Sequence, residues 1–189
     1  VVEKARAIVA KYANASDYGK LIGYRDEICA LVSYNDGAVS DSYTGGYGDP
    51  WQLIYVFDGD PATNVVCEGY AKAFQYLCDL TDFSGNVSCY TANGMMSGGT
   101  GAGAHMWNLV GMEDGKLYLV DVTNSDTGSA GQNGGLFMVN TPAEGSVDSG
   151  YLFIAGDQGI HYTYDQHTID MWGEDILTIG GTSEHVCDF

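Results

Sequence analysis

Positive charge is scarce in this chain. Its 189 residues hold 7 Lys+Arg against 25 Asp+Glu, a formal net charge of -18 at pH 7. Binding to nucleic acid needs clustered cations for phosphate, so no nucleic-acid partner is expected. The same shortage argues against anionic membrane surfaces. No stretch approaches the roughly 18 consecutive apolar residues of a membrane span, so no membrane insertion is expected either. The opening segment VVEKARAIVAKYA is amphipathic and charged, unlike a signal peptide, and is read as the start of a mature or trimmed chain. No C-x-x-C pair occurs among Cys29, Cys67, Cys78, Cys89 and Cys187, which removes zinc-site and thioredoxin-like readings. The glycine-rich run 94–103 lacks the Gly-Lys-Ser/Thr ending of a phosphate loop. No cofactor is implied by any of these patterns.

What is present suits a packed domain. Hydrophobic residues make up 45% and aromatics 12%, enough to bury a core at this length without disulfides. Pairing of Cys29, Cys78, Cys89 and Cys187 therefore stays open. The acidic residues are scattered, which gives a solvated acidic surface and not an acidic tail. Many Gly and Tyr with few Lys suit an extracellular or cell-surface microbial protein.

Apolar spacing predicts a helix over 1–13, through Val2, Ala5, Ile8, Val9 and Tyr12, and a second over about 20–33. Asn35-Asp36-Gly37 ends the second with turn chemistry. Residues 41–49 suggest a loop, and PWQLIYVF is a short apolar run, helix or strand. After DGDPATN, with Thr63 or Asn64 available as a cap, helical spacing resumes at Cys67 and continues through Tyr70, Ala71, Phe74, Leu77 and Cys78. The second half has strand patterns: VSCYTA, then HMWNLVGM and LYLVDVTN around an EDGK turn, then GLFMVN, YLFIAG and HYTYDQ. Helices first and an antiparallel sheet afterwards predict an α+β fold. No linker or repeat interrupts the chain, so a single domain over 1–189 is expected, with C-terminal strands over about 135–180.

Cys67 stands at the front of its helix, where unpaired N–H groups and the helix dipole favour a thiolate. A buried core cysteine is the plainer reading of a lone thiol. The hairpin shifts the balance. His105 opens one strand and Asp121 lies on the next, so cross-strand pairing can bring imidazole and carboxylate together. A helix packed on that face would present Cys67 to the other ring nitrogen, completing nucleophile, base and orienting carboxylate. The Cys67 N–H is a natural donor to a developing oxyanion. Gln52, in the segment before the cysteine helix, is a candidate second donor. Trp107 shares a strand face with His105 and either walls the substrate site or packs in the core. Gly69 would allow a close approach, and Glu68 has no assigned catalytic role.

Three blocks resemble the transglutaminase-like cysteine enzyme superfamily in its microbial branch: VVCEGYAKAFQYL, HMWNLV and LYLVDVTNSD. That family has Cys-(Glu/Gln)-Gly-Tyr-Ala before a helix, then His-x-Trp-Asn, then a strand ending in Asp-x-Thr. The resemblance covers roughly residues 18–126 and places Cys67, His105 and Asp121 on the triad positions. It implies a papain-like transglutaminase core with the cysteine-bearing helix packed on an antiparallel sheet. It also implies acyl transfer at a protein or peptide amide through a thioester, with hydrolysis favoured over cross-linking. A non-catalytic surface binding module that keeps the fold is the alternative. Asn124 stands where the family often has Trp, a departure expected to alter local packing or the substrate groove and not the triad.

Other clusters have plainer readings. His161, Asp165 and His167 alternate and would share one strand face, but lack a fourth metal ligand. Asp58-Gly59-Asp60 and Thr123–Gly128 carry oxygens suited to calcium, yet turn chemistry accounts for both. The run 94–103, just ahead of His105, is a candidate mobile lid.

Overall fold

The computed structural model describes residues 1–39, 51–60 and 62–180. The loop expected over 41–49 and Cys187 lie outside these residues. Four helices come first: α1 (Val2–Lys11), α2 (Asp17–Leu31), α3 (Gln52–Val56) and α4 (Cys67–Asp79). Seven strands follow: β1 (Ser88–Ser97), β2 (Gly103–Gly111), β3 (Leu117–Val120), β4 (Phe137–Val139), β5 (Glu144–Ser146), β6 (Gly150–Ala155) and β7 (Gln158–Tyr164). Two short helices, α5 (Gln166–Trp172) and α6 (Glu174–Leu177), come after them. The architecture is α+β, as the order of patterns implies.

Local chemistry sets the helix ends. Ser16 caps α2 by accepting a 3.0 Å hydrogen bond from the Gly19 N–H, so the helix begins at Asp17, three residues ahead of the expected start at Lys20. Within the apolar run after residue 50, Gln52–Val56 form helix α3. α4 begins at Cys67 behind Val66, without a side-chain cap, so Thr63 and Asn64 do not act as expected. At the far end, HYTYDQ is strand only as far as Tyr164. Asp165 accepts a 2.7 Å bond from the Thr168 N–H and caps α5. His161 is thus on a strand and His167 on a helix, and the proposed shared face of His161, Asp165 and His167 does not exist. Much of the stretch after 165, expected as strand, is helical for the same reason.

The sheet order is β4-β3-β2-β1-β7-β6-β5, with every neighbouring pair antiparallel. One core lies between the helices and one face, with Tyr70, Phe74 and Leu77 of α4 against Val110, Tyr118 and Val120. The other face encloses a second core of Trp107, Leu109, Leu119, Phe153, Ile160 and Tyr162. Leu119 on β3 and Phe153 on β6 share this core although three strands separate theirs, so the sheet is strongly curled. β3 is buried on both faces, which explains its unbroken apolar run, LYLV.

The glycine-rich run, expected as a loop throughout, is partly strand. Gly94–Ser97 belong to β1, the central strand, paired with β2 on one side and β7 on the other. Gly94 sits where these strands converge: a Cβ there would lie 1.8 Å from the Thr163 carbonyl oxygen. Only residues 98–102 form a turn, and Asn124 clamps it. The Thr100 N–H donates to Asn124 Oδ1 at 2.7 Å, and Asn124 Nδ2 donates to the Thr100 carbonyl at 3.2 Å.

The two calcium candidates are turns held by their own carboxylates. Asp58 Oδ1 accepts from the Asp60 N–H at 2.7 Å, and Asp58 Oδ2 from the Thr63 hydroxyl at 3.0 Å. Asp126 accepts from the Tyr70 hydroxyl and from the Thr127 N–H, each at 2.7 Å.

Candidate active site

β3 pairs with β2 only from Asn108↔Val120 to Gly111↔Leu117. Asp121 therefore falls just beyond the paired region, where the chain turns into a 3-10 segment (Thr123–Ser125). Its N–H is held by the Leu136 carbonyl at 2.9 Å. From there its carboxylate reaches back to His105, whose Nε2 lies 2.9 Å from Asp121 Oδ2. The imidazole–carboxylate contact expected from the hairpin is present, but at the strand end and not as a cross-strand pair.

The helix also sits differently from the expectation. Asn108, on the α4 face of β2, donates from Nδ2 to the Ala71 carbonyl of α4 at 3.1 Å. His105 and Trp107 lie on the opposite face, their rings stacked with centroids 5.9 Å apart. Cys67 and His105 nevertheless line one cavity of about 250 Å³, with Val66, Glu68, Asn93, Gly94, Ala104, Met106 and Asp165. Among the described residues Gly103–Trp107 of β2 have no strand partner on the β3 side, and this stretch of strand lets one cavity border both the helix N-terminus and the imidazole.

Both sides of the imidazole are accounted for. Nε2 faces Asp121. Nδ1 is buried and makes no full-geometry hydrogen bond among the described residues, and the neighbouring Cys67 acts on the ring through a weak hydrogen bond and its charge. Burial alone would lower the His105 pKa. The Asp121 charge and hydrogen bond, helped by Cys67, outweigh it and raise the value to about 10. For Asp121, burial pushes the pKa up. The His105 charge and hydrogen bond, with those from Tyr162 and Asn124, hold it below the ordinary carboxylate value.

Two members of this cluster were not expected. The Tyr162 hydroxyl donates to Asp121 Oδ2 at 2.7 Å, and Asn124 Nδ2 donates to the same oxygen at 2.8 Å. The Asn124 N–H also bonds Asp121 Oδ1 at 3.2 Å. Asn124 is thus part of the Asp121 carboxylate's environment, where only local packing or the groove was expected to change. Its position just after Asp-x-Thr was the available signal. Tyr162 carried none, because a tyrosine alternating in a strand looks like core.

The remaining candidates divide. Trp107 is 1% exposed, stacks against Tyr164 with centroids 5.9 Å apart, and does not line the cavity. Of its two possible roles it takes the packing one, because its strand face points into the second core. Gln52 is buried, and its Oε1 accepts from the Val66 N–H at 3.0 Å. That bond ties the side chain to the residue before Cys67, fixes the amide orientation and leaves Nε2 as the donor end. Gly69 is tight for a different reason from the expected one: a Cβ there would meet the Val65 side chain at 2.6 Å. Among the described residues Cys29, Cys67, Cys78 and Cys89 are all free thiols. Burial pushes Cys29 up to about 12.

No protein-family model matches this chain, and no curated protein matches it. Among the solved structures that match is one described as the crystal structure of a TGase. It aligns with 67% of this chain at 15% identity and a TM-score of 0.47. This chain spans 32% of that one, about a third of its length. A likeness at that level is a distant resemblance of fold and says nothing of activity.

Proposed function

We propose that this protein is a thiol-dependent hydrolase or acyltransferase, a transglutaminase-like cysteine protease or amidase, acting on protein or peptide amides. The observation that carries the reading is the buried Nδ1 of His105, left to Cys67 among the described residues, with Cys67 at an uncapped helix N-terminus and Nε2 fixed on Asp121.

The chemistry follows from those positions. His105 takes the thiol proton at Nδ1, and Asp121 stabilises the resulting imidazolium. The Cys67 sulfur attacks the amide carbonyl carbon. The Cys67 N–H, at the positive end of α4, and Gln52 Nε2 serve as donors to the oxyanion. The C–N bond breaks, the amine leaves with the proton from His105, and a thioester remains. Water then attacks with His105 as base, releasing the acid and restoring the thiol. Hydrolysis is favoured over cross-linking because water is always at hand, whereas an amine acceptor needs a site of its own. The fold is read as a single domain with the papain-like core of that superfamily. Its support is α4 packed on the antiparallel sheet through Asn108 and Ala71. An extracellular or cell-surface setting rests on composition.

The test is a peptide library read by mass spectrometry, scoring cleavage, deamidation and amine incorporation together, with Cys67→Ala as control. Products absent in Cys67→Ala support the proposal. No product of any kind from the wild-type protein, or products that persist in Cys67→Ala, reject it.

A further inference from the structure

Apart from the His105 imidazole, whose charge is paired with Asp121, the cavity beside Cys67 carries charge of one sign. Two of its lining residues are acidic, Glu68 and Asp165. They are not equivalent. Glu68 pairs with Lys72 one helical turn on, which compensates its charge. Asp165 spends one carboxylate oxygen on the Thr168 N–H at 2.7 Å and is exposed, with no cation paired to it among the described residues. The chain end that places it there is fixed. The Asp165 N–H donates to the Asn93 carbonyl at 2.9 Å, and the Thr168 hydroxyl donates to the same oxygen at 3.2 Å. The capped start of α5 is thus pinned to the central strand at the cavity wall.

We infer that Asp165 is a specificity-determining residue that selects substrates with a basic side chain beside the reacting amide. The inference rests on Cys67 being the working nucleophile. A fixed carboxylate beside a reacting centre attracts an incoming cation and repels an anion at short range. The distant surface charges add a weaker and more strongly screened field. An acidic peptide would meet Asp165, Glu68 and the overall negative charge together, and so be rejected.

Charged thiol reagents test this without a known substrate. The full chain is treated with three methanethiosulfonates: one cationic (trimethylammonium-ethyl), one neutral (methyl) and one anionic (sulfonato-ethyl). Modification of Cys67 is timed by peptide mapping. The cationic reagent is expected to react fastest. In Asp165→Asn and Asp165→Ser the cation-to-anion rate ratio should fall about tenfold, equivalent to about 1.4 kcal/mol. Both replacements can still cap α5. Asp148→Asn removes the same charge from an exposed residue outside the cavity and should keep the wild-type ratio. An equal ratio in all four proteins would assign the preference to the general field and overturn the role of Asp165. So would a wild-type preference for the anionic reagent. If none of the three reagents modifies Cys67, the thiol reading itself fails and this inference falls with it.

Discussion

Cys67 and Cys78 lie at opposite ends of the same helix and are almost equally buried, at 7% and 5% exposed. Their surroundings differ in every other respect. Cys67 is in the first turn, at the positive end of the helix, on a cavity it shares with a buried imidazole. Cys78 is in the last turn, at the negative end, packed in the helical core. It also neighbours Cys89, whose thiol is pushed up by burial and by Cys78. Burial does not distinguish these two thiols; helix position and partner do.

The largest effect expected at the Cys67 end is on turnover. Asp121→Asn should keep the fold by circular dichroism and slow kcat by up to about ten-thousand-fold, because the carboxylate fixes the ring and stabilises its charge. Unchanged turnover would remove Asp121 from the mechanism. Next, brief iodoacetamide treatment of native protein at neutral pH should label Cys67 at least about a hundredfold faster than Cys78, Cys29 or Cys89. Equal labelling, or a disulfide at Cys67, would erase the contrast between the two ends. Tyr162→Phe should cost less, about three- to tenfold in kcat. The hydroxyl is one of three donors on Asp121 Oδ2, and the ring would still fill the second core. The Asp121 carboxylate would then bind the imidazolium more strongly, so the alkaline limb of kcat/KM should move to higher pH, a shift that lost packing alone would not produce.

Stability should change with pH in a defined window. The His105 pKa is raised from 6.5 to about 10, so its contribution is complete below about 6.5 and is lost as pH rises through 10. The Asp121 pKa is lowered from 3.8, so its contribution is present above that value and lost as pH falls through the depressed one. Thermal melts of wild type should therefore decline between pH 6.5 and 10, and less so in Asp121→Asn. Salt should change this decline least of all, because the pair is buried and poorly screened.

Much of this was legible in the sequence. The stripe Tyr70, Phe74, Leu77 marked α4, and alternation marked β2 and β3, because each element buries a regular face. The positions of Cys67, His105 and Asp121 could be read from the same patterns. The exact meeting point could not. It depends on β3 stopping at Val120 and on β2 running past it, which no local periodicity encodes. Gly94–Ser97 looked like loop because glycine is a poor strand residue. It is strand because neighbouring backbones converge there. Asp165 looked like strand because it continues an alternation, but an aspartate can equally cap a helix. Tyr162 and Asn124 reach Asp121 only through the curl of the sheet and the turn after β3, both non-local.

The central claim is that Cys67 reacts with the help of His105, and Cys67 alkylation followed against pH tests it most directly. Rates are measured by peptide mapping from about pH 4 to 11. The rate at Cys67 should change near pH 10, as His105 loses its proton, and that change should be displaced in Asp121→Asn. A Cys67 rate that shows no change as His105 titrates, or the same profile in Asp121→Asn, would contradict the pairing.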